Sequence, residues 1–257
     1  MGVLTNLTSP AFPASVNTLT PAESIRMRPG IDDIPSVSLI IPTLNEERNL
    51  PFVLPKIPSW VNEVIIVDGR SSDQTVDTAR TLYPKVRIVM EETPGKGAAL
   101  RAGFDAATCD IIVAIDADGS MDPGEISLFV GGLLAGADMV KGSRFIQGGG
   151  TDDMELFRML GNWGLTMLVR ILFGSHFSDL CYGYVAFWRK HLNILRPTTN
   201  GFEVETHLNV RALKSRLKIS EVPSFEANRV YGSSHLNAVT DGWRVLKTIL
   251  RERVSLP

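Results

Sequence analysis

Two carboxylates stand two residues apart in the stretch Asp110-Ile-Ile-Val-Ala-Ile-Asp-Ala-Asp118. The apolar run 111–115 reads as a strand buried on both faces, as in a mostly parallel sheet. Asp116 and Asp118 then fall at its carboxyl end, where open α/β sheets bind ligands. Two acids at such a place are costly unless something positive answers them. A divalent metal, Mg2+ or Mn2+, carrying a diphosphate would do so, and both Asp116 and Asp118 are candidate metal ligands. The local alternative is a turn at Asp118-Gly119 with Asp116 as a cap.

Other polar residues follow the same pattern. The strand at 37–41 ends in Pro42-Thr-Leu-Asn-Glu46, that at 63–67 in Asp68-Gly69, and that at 138–142 in Ser143-Arg144. Pro94-Gly-Lys-Gly97 offers Lys96 from a loop. Each turn alone could be bland. Four of them at one sheet edge, carrying acids, a lysine and an arginine, fit a nucleotide diphosphate and a metal.

These residues need elements to hold them. Strands at 37–41, 63–67, 86–90, 111–115 and 138–142 alternate with helical stretches near 47–54, through Val76, Ala79 and Leu82, at 98–107, and from Pro123 to about Ala135. That alternation specifies an α/β fold with a mostly parallel central sheet flanked by helices. After Gly148-Gly-Gly150 the pattern changes. Residues 154–173 read as a helix with Arg158 and Asn162 on one face, 178–188 as extended, 203–216 as helical, and 217–222 as an edge strand. Residues 235–253 read as an amphipathic helix with a stripe of Leu236, Val239, Trp243, Leu246, Ile249 and Leu250. That stripe suits packing on a domain. Its basic rim of Arg244, Lys247, Arg251 and Arg253 also suits an anionic membrane surface, the second of the two readings. Residues 1–35, rich in Thr, Ser, Asn and Pro, read as a flexible tail, and 36–257 as one domain.

The chain has 257 residues, 44% hydrophobic and 21% charged, a balance that supports a large core. A net charge of −2 gives no reason to expect nucleic acid as a partner. Cys109 and Cys181 do not make a disulfide framework and suit a reducing cytosol. No uncharged apolar run is long enough for a membrane span, and the N-terminus lacks a basic-then-apolar signal. The expected location is cytoplasmic, with peripheral contact at the cytoplasmic membrane face. The four histidines lack ligand spacing, and Trp163, Phe173 and Trp188 read as core.

In order along the chain come Ile41-Pro-Thr-Leu-Asn-Glu46, Val64-Ile-Ile-Val-Asp-Gly69 with Ser71, Ser72 and Asp73, Gly95-Lys-Gly97, and Asp116-Ala-Asp118. Gly142-Ser-Arg144 with the Gly148 run, Gly201-Phe-Glu203, Glu221-Val-Pro223 and Arg229-Val-Tyr-Gly-Ser233 follow. In this order, over about residues 37–253, the chain resembles family 2 glycosyltransferases of the GT-A nucleotide-sugar transferase fold. Within them it looks most like the polyprenyl-phosphate sugar synthases, the dolichol-phosphate mannose synthase group. The Q-x-x-R-W signature of processive polysaccharide synthases is absent. The resemblance implies that Pro42, Leu44 and Glu46 line the nucleotide pocket, that Asp68 accepts a hydrogen bond from the base, and that Lys96 lies near the nucleotide. It implies that Asp116 and Asp118 hold the metal and sugar nucleotide, that Arg144 and Arg158, with Asn162, face an acceptor phosphate, and that Arg229 and Ser233 close over the donor diphosphate. The chain departs from the family at Asp68-Gly-Arg-Ser71, where a second acid usually follows the first, and at Ser120, where an amide is common.

A phosphate monoester, with a second pKa of about 6, is already mostly a dianion near neutral pH and needs no protein base. A hydroxyl acceptor needs one. Asp152, Asp153, Asp179, Glu203 and Glu205 are candidates, with Glu203 best placed by the resemblance. The expected activity is metal-dependent, inverting transfer of a hexose from GDP-mannose or UDP-glucose to a polyprenyl phosphate. The alternatives are a soluble transferase acting on a hydroxyl, or a non-catalytic nucleotide-sugar-binding subunit, against which the intact Asp116, Asp118 and Arg144 argue.

Overall fold

The computed structural model describes residues 34–232 and 237–255. The tail over 1–33, Ser233, and the expected start of the last helix at His235 and Leu236 lie outside the described residues.

Seven strands form the central sheet: β1 (Val37–Thr43), β2 (Glu63–Asp68), β3 (Arg87–Met90), β4 (Ile111–Ala114), β5 (Met139–Ser143), β7 (Val185–Trp188) and β8 (Ile219–Pro223). Their spatial order is β3-β2-β1-β4-β7-β5-β8. All neighbours are parallel except β7, which runs antiparallel between β4 and β5. Two antiparallel steps restore the direction. The carboxyl ends of β1, β2, β4 and β5 therefore open on one edge, as the polar residues at those ends foretell. A two-stranded parallel ribbon, β6 (Gly150–Thr151) with β9 (Phe225–Glu226), lies beyond that edge, and Met121 bridges to Glu226.

Successive side chains of a strand point to opposite faces, so one strand feeds two cores. Leu39, Ile41, Val64, Ile66, Ile111 and Val113 pack with Phe129 of helix α4 (Ile126–Leu134) and with Leu50 and Val53 of the short α1 (Leu50–Val53). Ile40, Ile65, Val67, Ile112 and Phe187 face α3 (Lys96–Ala106) and α7 (Val204–Lys214) through Leu100, Phe104 and Leu208. α2 (Thr75–Leu82) adds Ala79 to the first face, and α6 (Leu192–Leu195) adds Leu195 to the second. Gly103 is the closest approach of α3 to the sheet, since a Cβ there would lie 2.3 Å from the Ile40 side chain. A third cluster joins α5 (Leu156–Phe173), α7 and α8 (Ala238–Val254) through Val169, Val210, Val245 and Ile249.

Several expectations are corrected. Of 178–188, only the last four residues are strand, because side-chain bonds pin the earlier ones. Ser178 and Asp179 amides donate to Glu221, the Cys181 amide to Asn162, and Tyr182 bonds Ser224. α8 turns the expected stripe partly outward. Val239, Trp243 and Leu250 are exposed, while Val245, Thr248, Ile249 and Glu252 are buried. The polar members of that face find partners: Glu252 accepts from His207 at 3.0 Å and from Lys214 at 2.9 Å. α5 is long and apolar enough, by length and composition, to cross a membrane. Arg158 and Arg170 interrupt its sequence, so a search for an uncharged run misses it. Its polar side is docked, with Asn162 and Thr166 buried, and Leu156, Phe157, Leu160, Trp163 and Ile171 are exposed. Trp163, expected in the core, is 64% exposed.

Candidate active site

Two cavities meet at the carboxyl edge of the sheet. The larger, about 550 Å3, is lined by Pro42, Leu44, Glu46, Gly69, Arg70 and Gly95. The smaller, about 210 Å3, runs from Arg144 and Glu226 to Met154, Phe157, Gly161 and Leu165 of the α5 region and to Ala238, Gly242 and Val245 of α8. Lys96, Asp116, Asp118, Phe202 and Arg229 line both.

β4 delivers the carboxylates. Its hydrogen bonding continues through the Ile115 amide to Ile40, and the chain then turns at Gly119, whose φ of +81° lies in the left-handed region that favours glycine. Asp118 Oδ1 accepts from the Ser120 amide at 3.0 Å and the Ser120 hydroxyl at 2.7 Å. Ser120 thus orients the second acid. Asp118 Oδ2 meets Arg229 Nη2 at 2.8 Å, and Arg229 Nη1 reaches Glu46 at 3.3 Å. Asp116 Oδ1 lies 2.5 Å from Lys96 Nζ, which also meets Glu205 at 2.7 Å.

This lysine stands at the start of α3 and is enclosed. Burial alone would lower its pKa, but Asp116 and then Glu205 outweigh burial and hold it well above the ordinary lysine range. Burial pushes the Glu205 carboxyl up, against the pull of Lys96. Burial likewise pushes the Cys181 thiol, in the wall of the smaller cavity, up to about 12, which removes it as a nucleophile.

The carboxylate pair fits a hard divalent cation. It offers only oxygen ligands, and the Asp116 side chain is 27% exposed. Among the described residues no cluster of three His, Cys, Asp or Glu forms a closed cage. Mg2+ and Mn2+ suit such a half-site, because substrate phosphates and water complete the shell.

The family model for "Glycosyl transferase family 2" matches residues 38–195. A polyprenol monophosphomannose synthase of Mycolicibacterium smegmatis is 31% identical over 212 residues, covering 77% of this chain and 80% of that one. The chain belongs to glycosyl transferase family 2. A dolichol-phosphate mannosyltransferase of Pyrococcus furiosus is 30% identical, over 79% of this chain and 60% of its own. An uncharacterized glycosyltransferase of Mycobacterium tuberculosis is 43% identical over 109 residues, and the match spans about half of that relative, 49%. Among solved structures, the glucosyl-3-phosphoglycerate synthase of Mycobacterium tuberculosis with phosphoglyceric acid superposes with a TM-score of 0.70 at 26% identity, over 87% of this chain and 81% of that one. The same synthase has been solved with Mn2+, UDP-glucose and phosphoglyceric acid, with a TM-score of 0.69 over the same shares. The fold is that of the GT-A glycosyltransferases.

Within this family 2 site, the expected residues divide. Pro42, Leu44, Glu46, Lys96, Asp116, Asp118, Arg158 and Arg229 line the cavities. Asp68 does not: it is fully buried and accepts from the Ser71 amide at 2.8 Å and hydroxyl at 2.6 Å, so its carboxylate folds the turn and leaves the wall to Gly69 and Arg70. Glu203 lines neither cavity. One oxygen accepts from the Gly201 amide at 3.3 Å, the other is buried without a partner, and nothing in the structure explains it. Glu205, two residues further, is the acid that reaches the site. Arg144 is at the wall but not free. Nε and Nη2 grip Asp179 at 2.7 and 2.9 Å, and Nη1 takes Glu226 at 2.9 Å. Asn162 also turns to Asp179, at 2.9 Å, rather than outward. Sequence reasoning missed Glu226, Phe202 and Ser120 as parts of the site. Only the Gly201-Phe-Glu203 motif hinted at Phe202, and no local signal marks Glu226.

Proposed function

We propose that this chain transfers a hexose from a nucleoside diphosphate sugar to the phosphate of a polyprenyl phosphate. The observation that carries the acceptor class is the smaller cavity. It is charged where it meets Asp116, Asp118 and Lys96, and apolar where it passes between α5 and α8. Arg158 stands along the cavity, and among the described residues its one ion-pair partner is distant, Asp153 at 3.8 Å. An apolar phosphate ester fits both ends. The named relatives that use lipid phosphates, and the neighbour solved with UDP-glucose, Mn2+ and a phosphate-bearing acid, support this reading.

The larger cavity takes the nucleotide of GDP-mannose or UDP-glucose, between Leu44 and Arg70, with its diphosphate towards Asp118. Asp116 and Asp118 would hold Mg2+ or Mn2+, which when bound would supply Lewis-acid charge beside the donor diphosphate. Arg229, already aligned by Asp118 and Glu46, adds preorganised positive charge beside it. Arg158 binds the acceptor phosphate, matching its oxygens with a planar fork. The phosphate oxygen attacks the anomeric carbon as the bond to the diphosphate breaks, which inverts that centre. Because the acceptor is a dianion near neutral pH, no side chain has to remove a proton. The outward stripes of α5 and α8, with exposed Arg244, Lys247 and Arg251 beside them, suit contact with an anionic membrane where such an acceptor resides.

One observation favours a second reading, a hydroxyl acceptor: Glu205 lines the acceptor cavity, and burial raises its pKa towards the range of a useful base. Incubation of the purified protein with Mn2+, a short polyprenyl phosphate and each labelled donor decides. Label in an acid-labile lipid phosphate supports the first reading. Donor binding with no lipid product from either donor overturns it.

A further inference from the structure

Asn49 sits at the N-terminal end of α1 but caps nothing there. It is 3% exposed, and a buried amide must place its hydrogen bonds somewhere. It reaches instead across the chain. Its Oδ1 accepts from the Tyr231 amide at 2.9 Å, and its Nδ2 donates to the Tyr231 carbonyl at 3.2 Å. The same Nδ2 donates to Glu46 Oε2 at 2.6 Å. The orientation of the amide is fixed by these partners, since the Tyr231 amide can only donate. Around this pairing, the Arg48 guanidinium lies 4.0 Å over the Tyr231 ring, and Phe52 packs against it at 5.8 Å.

The other side of the same late segment is tied to the carboxylate loop. The Ala227 amide donates to Ser120 and the Val230 amide to Asp118. Arg229 lies between the two attachments, with one nitrogen on Asp118 and one on Glu46. Asn49 thus touches both Glu46, which steers one arm of the guanidinium, and Tyr231, which fixes the backbone two residues on.

We propose that Asn49 is the positioning residue for Arg229, a side-chain latch that holds the segment 225–232 across the Asp118 loop and aims the arginine at the donor diphosphate before donor arrives. The role for the diphosphate rests on the donor reading of the site given above. Prior alignment matters because an arginine ordered only on binding loses several rotamers at that moment. Burial pushes the Glu46 carboxyl up, and the Asn49 amide is the foremost influence holding it down, ahead of Arg229.

The test uses Asn49→Asp, which keeps the acceptor for the Tyr231 amide but cannot donate to Glu46 or to the Tyr231 carbonyl. Asn49→Ser serves as a second variant if the first fails to fold. The first arm is hydrogen exchange on the ligand-free protein. Amides of 225–232 should exchange at least about 10-fold faster in the variant, with the strands of the sheet unchanged. The second arm is a double-mutant cycle read by the Kd of GDP and of UDP with Mn2+. The substitution should weaken binding roughly 10-fold alone and less than about 2-fold in an Arg229→Ala background. A merely structural asparagine would weaken binding equally in both backgrounds. Unchanged exchange, or equal losses in the cycle, overturns the latch. If the wild type binds neither nucleotide, the donor reading falls and the link from latch to diphosphate falls with it, while the exchange arm still decides whether Asn49 holds the segment.

Discussion

Arg144 and Arg158 face the same cavity and do different work. Arg144, from the end of β5, is 6% exposed and has three charge-assisted bonds to Asp179 and Glu226. The buried Lys141 backs the same acid through the Asp179 carbonyl, and Asn162 adds a further bond to its carboxylate. Burial would raise the Asp179 carboxyl, but Arg144 and Lys141 outweigh it and hold it below its usual range. Arg158, on α5, has among the described residues one ion pair, at 3.8 Å, and a side chain 26% exposed. A satisfied buried cation braces a wall; a loosely paired one beside a cavity is available to a ligand.

The contrast can be broken most sharply at Arg144. Arg144→Ala leaves Asp179 buried without its guanidinium, and stability should fall by about 3–5 kcal/mol. Calorimetry should record a Tm lower by roughly 6–20 °C, and an unchanged Tm would remove the bracing role. Asp118→Asn should reverse the pattern, with Tm nearly constant and kcat lower by about 100- to 1,000-fold, as for other losses of transition-state charge stabilisation. Arg158→Ala should leave Tm and donor affinity in place. It should raise the KM for polyprenyl phosphate by about 10- to 100-fold, the scale of a hydrogen bond to a charged group. Gly242→Leu sharpens the apolar half of the cavity. A Cβ there meets open space, so the fold should tolerate it, while the KM for long-chain acceptors rises about 10-fold and that for a short-chain phosphate less.

The smallest effect concerns pH. Burial, with Arg211, lowers the His207 pKa below 6.5, against Glu252. The unfolded chain then takes up the proton first. This contribution to stability is complete above 6.5 and is lost as the pH falls from there towards the folded value. His207→Asn should flatten the decline of Tm below pH 6.5, by at most about 1.4 kcal/mol per unit.

The sheet was legible because its strands are apolar runs, such as 111–115, whose pattern does not depend on partners. The site's floor was legible for a related reason: polar residues directly after such runs must lie at one edge. What escaped depends on pairing across long stretches of chain. Asp68 and Arg144 look like ligand-binding groups until Ser71, Asp179 and Glu226 are seen to hold them. Glu203 and Glu205 differ by two positions on a helix, and only the arrival of Lys96 selects the second. The inner face of α8 was misread because Thr248 and Glu252 are polar, and the burial of Glu252 follows from partners, His207 and Lys214, on another helix.

The insertion of β7 between β4 and β5 has a consequence in time. β4 and β5 leave the ribosome early, yet neither touches the other in the sheet, and both wait for residues 185–188 to separate and join them. The start of α3 is likewise completed late, when the Asn200 carbonyl accepts from the Gly97 amide. Glu205 and Arg229 come later still. A nascent chain of this protein can carry both aspartates and still have no reaction centre, so the site comes into existence only once the chain has been made through Arg229.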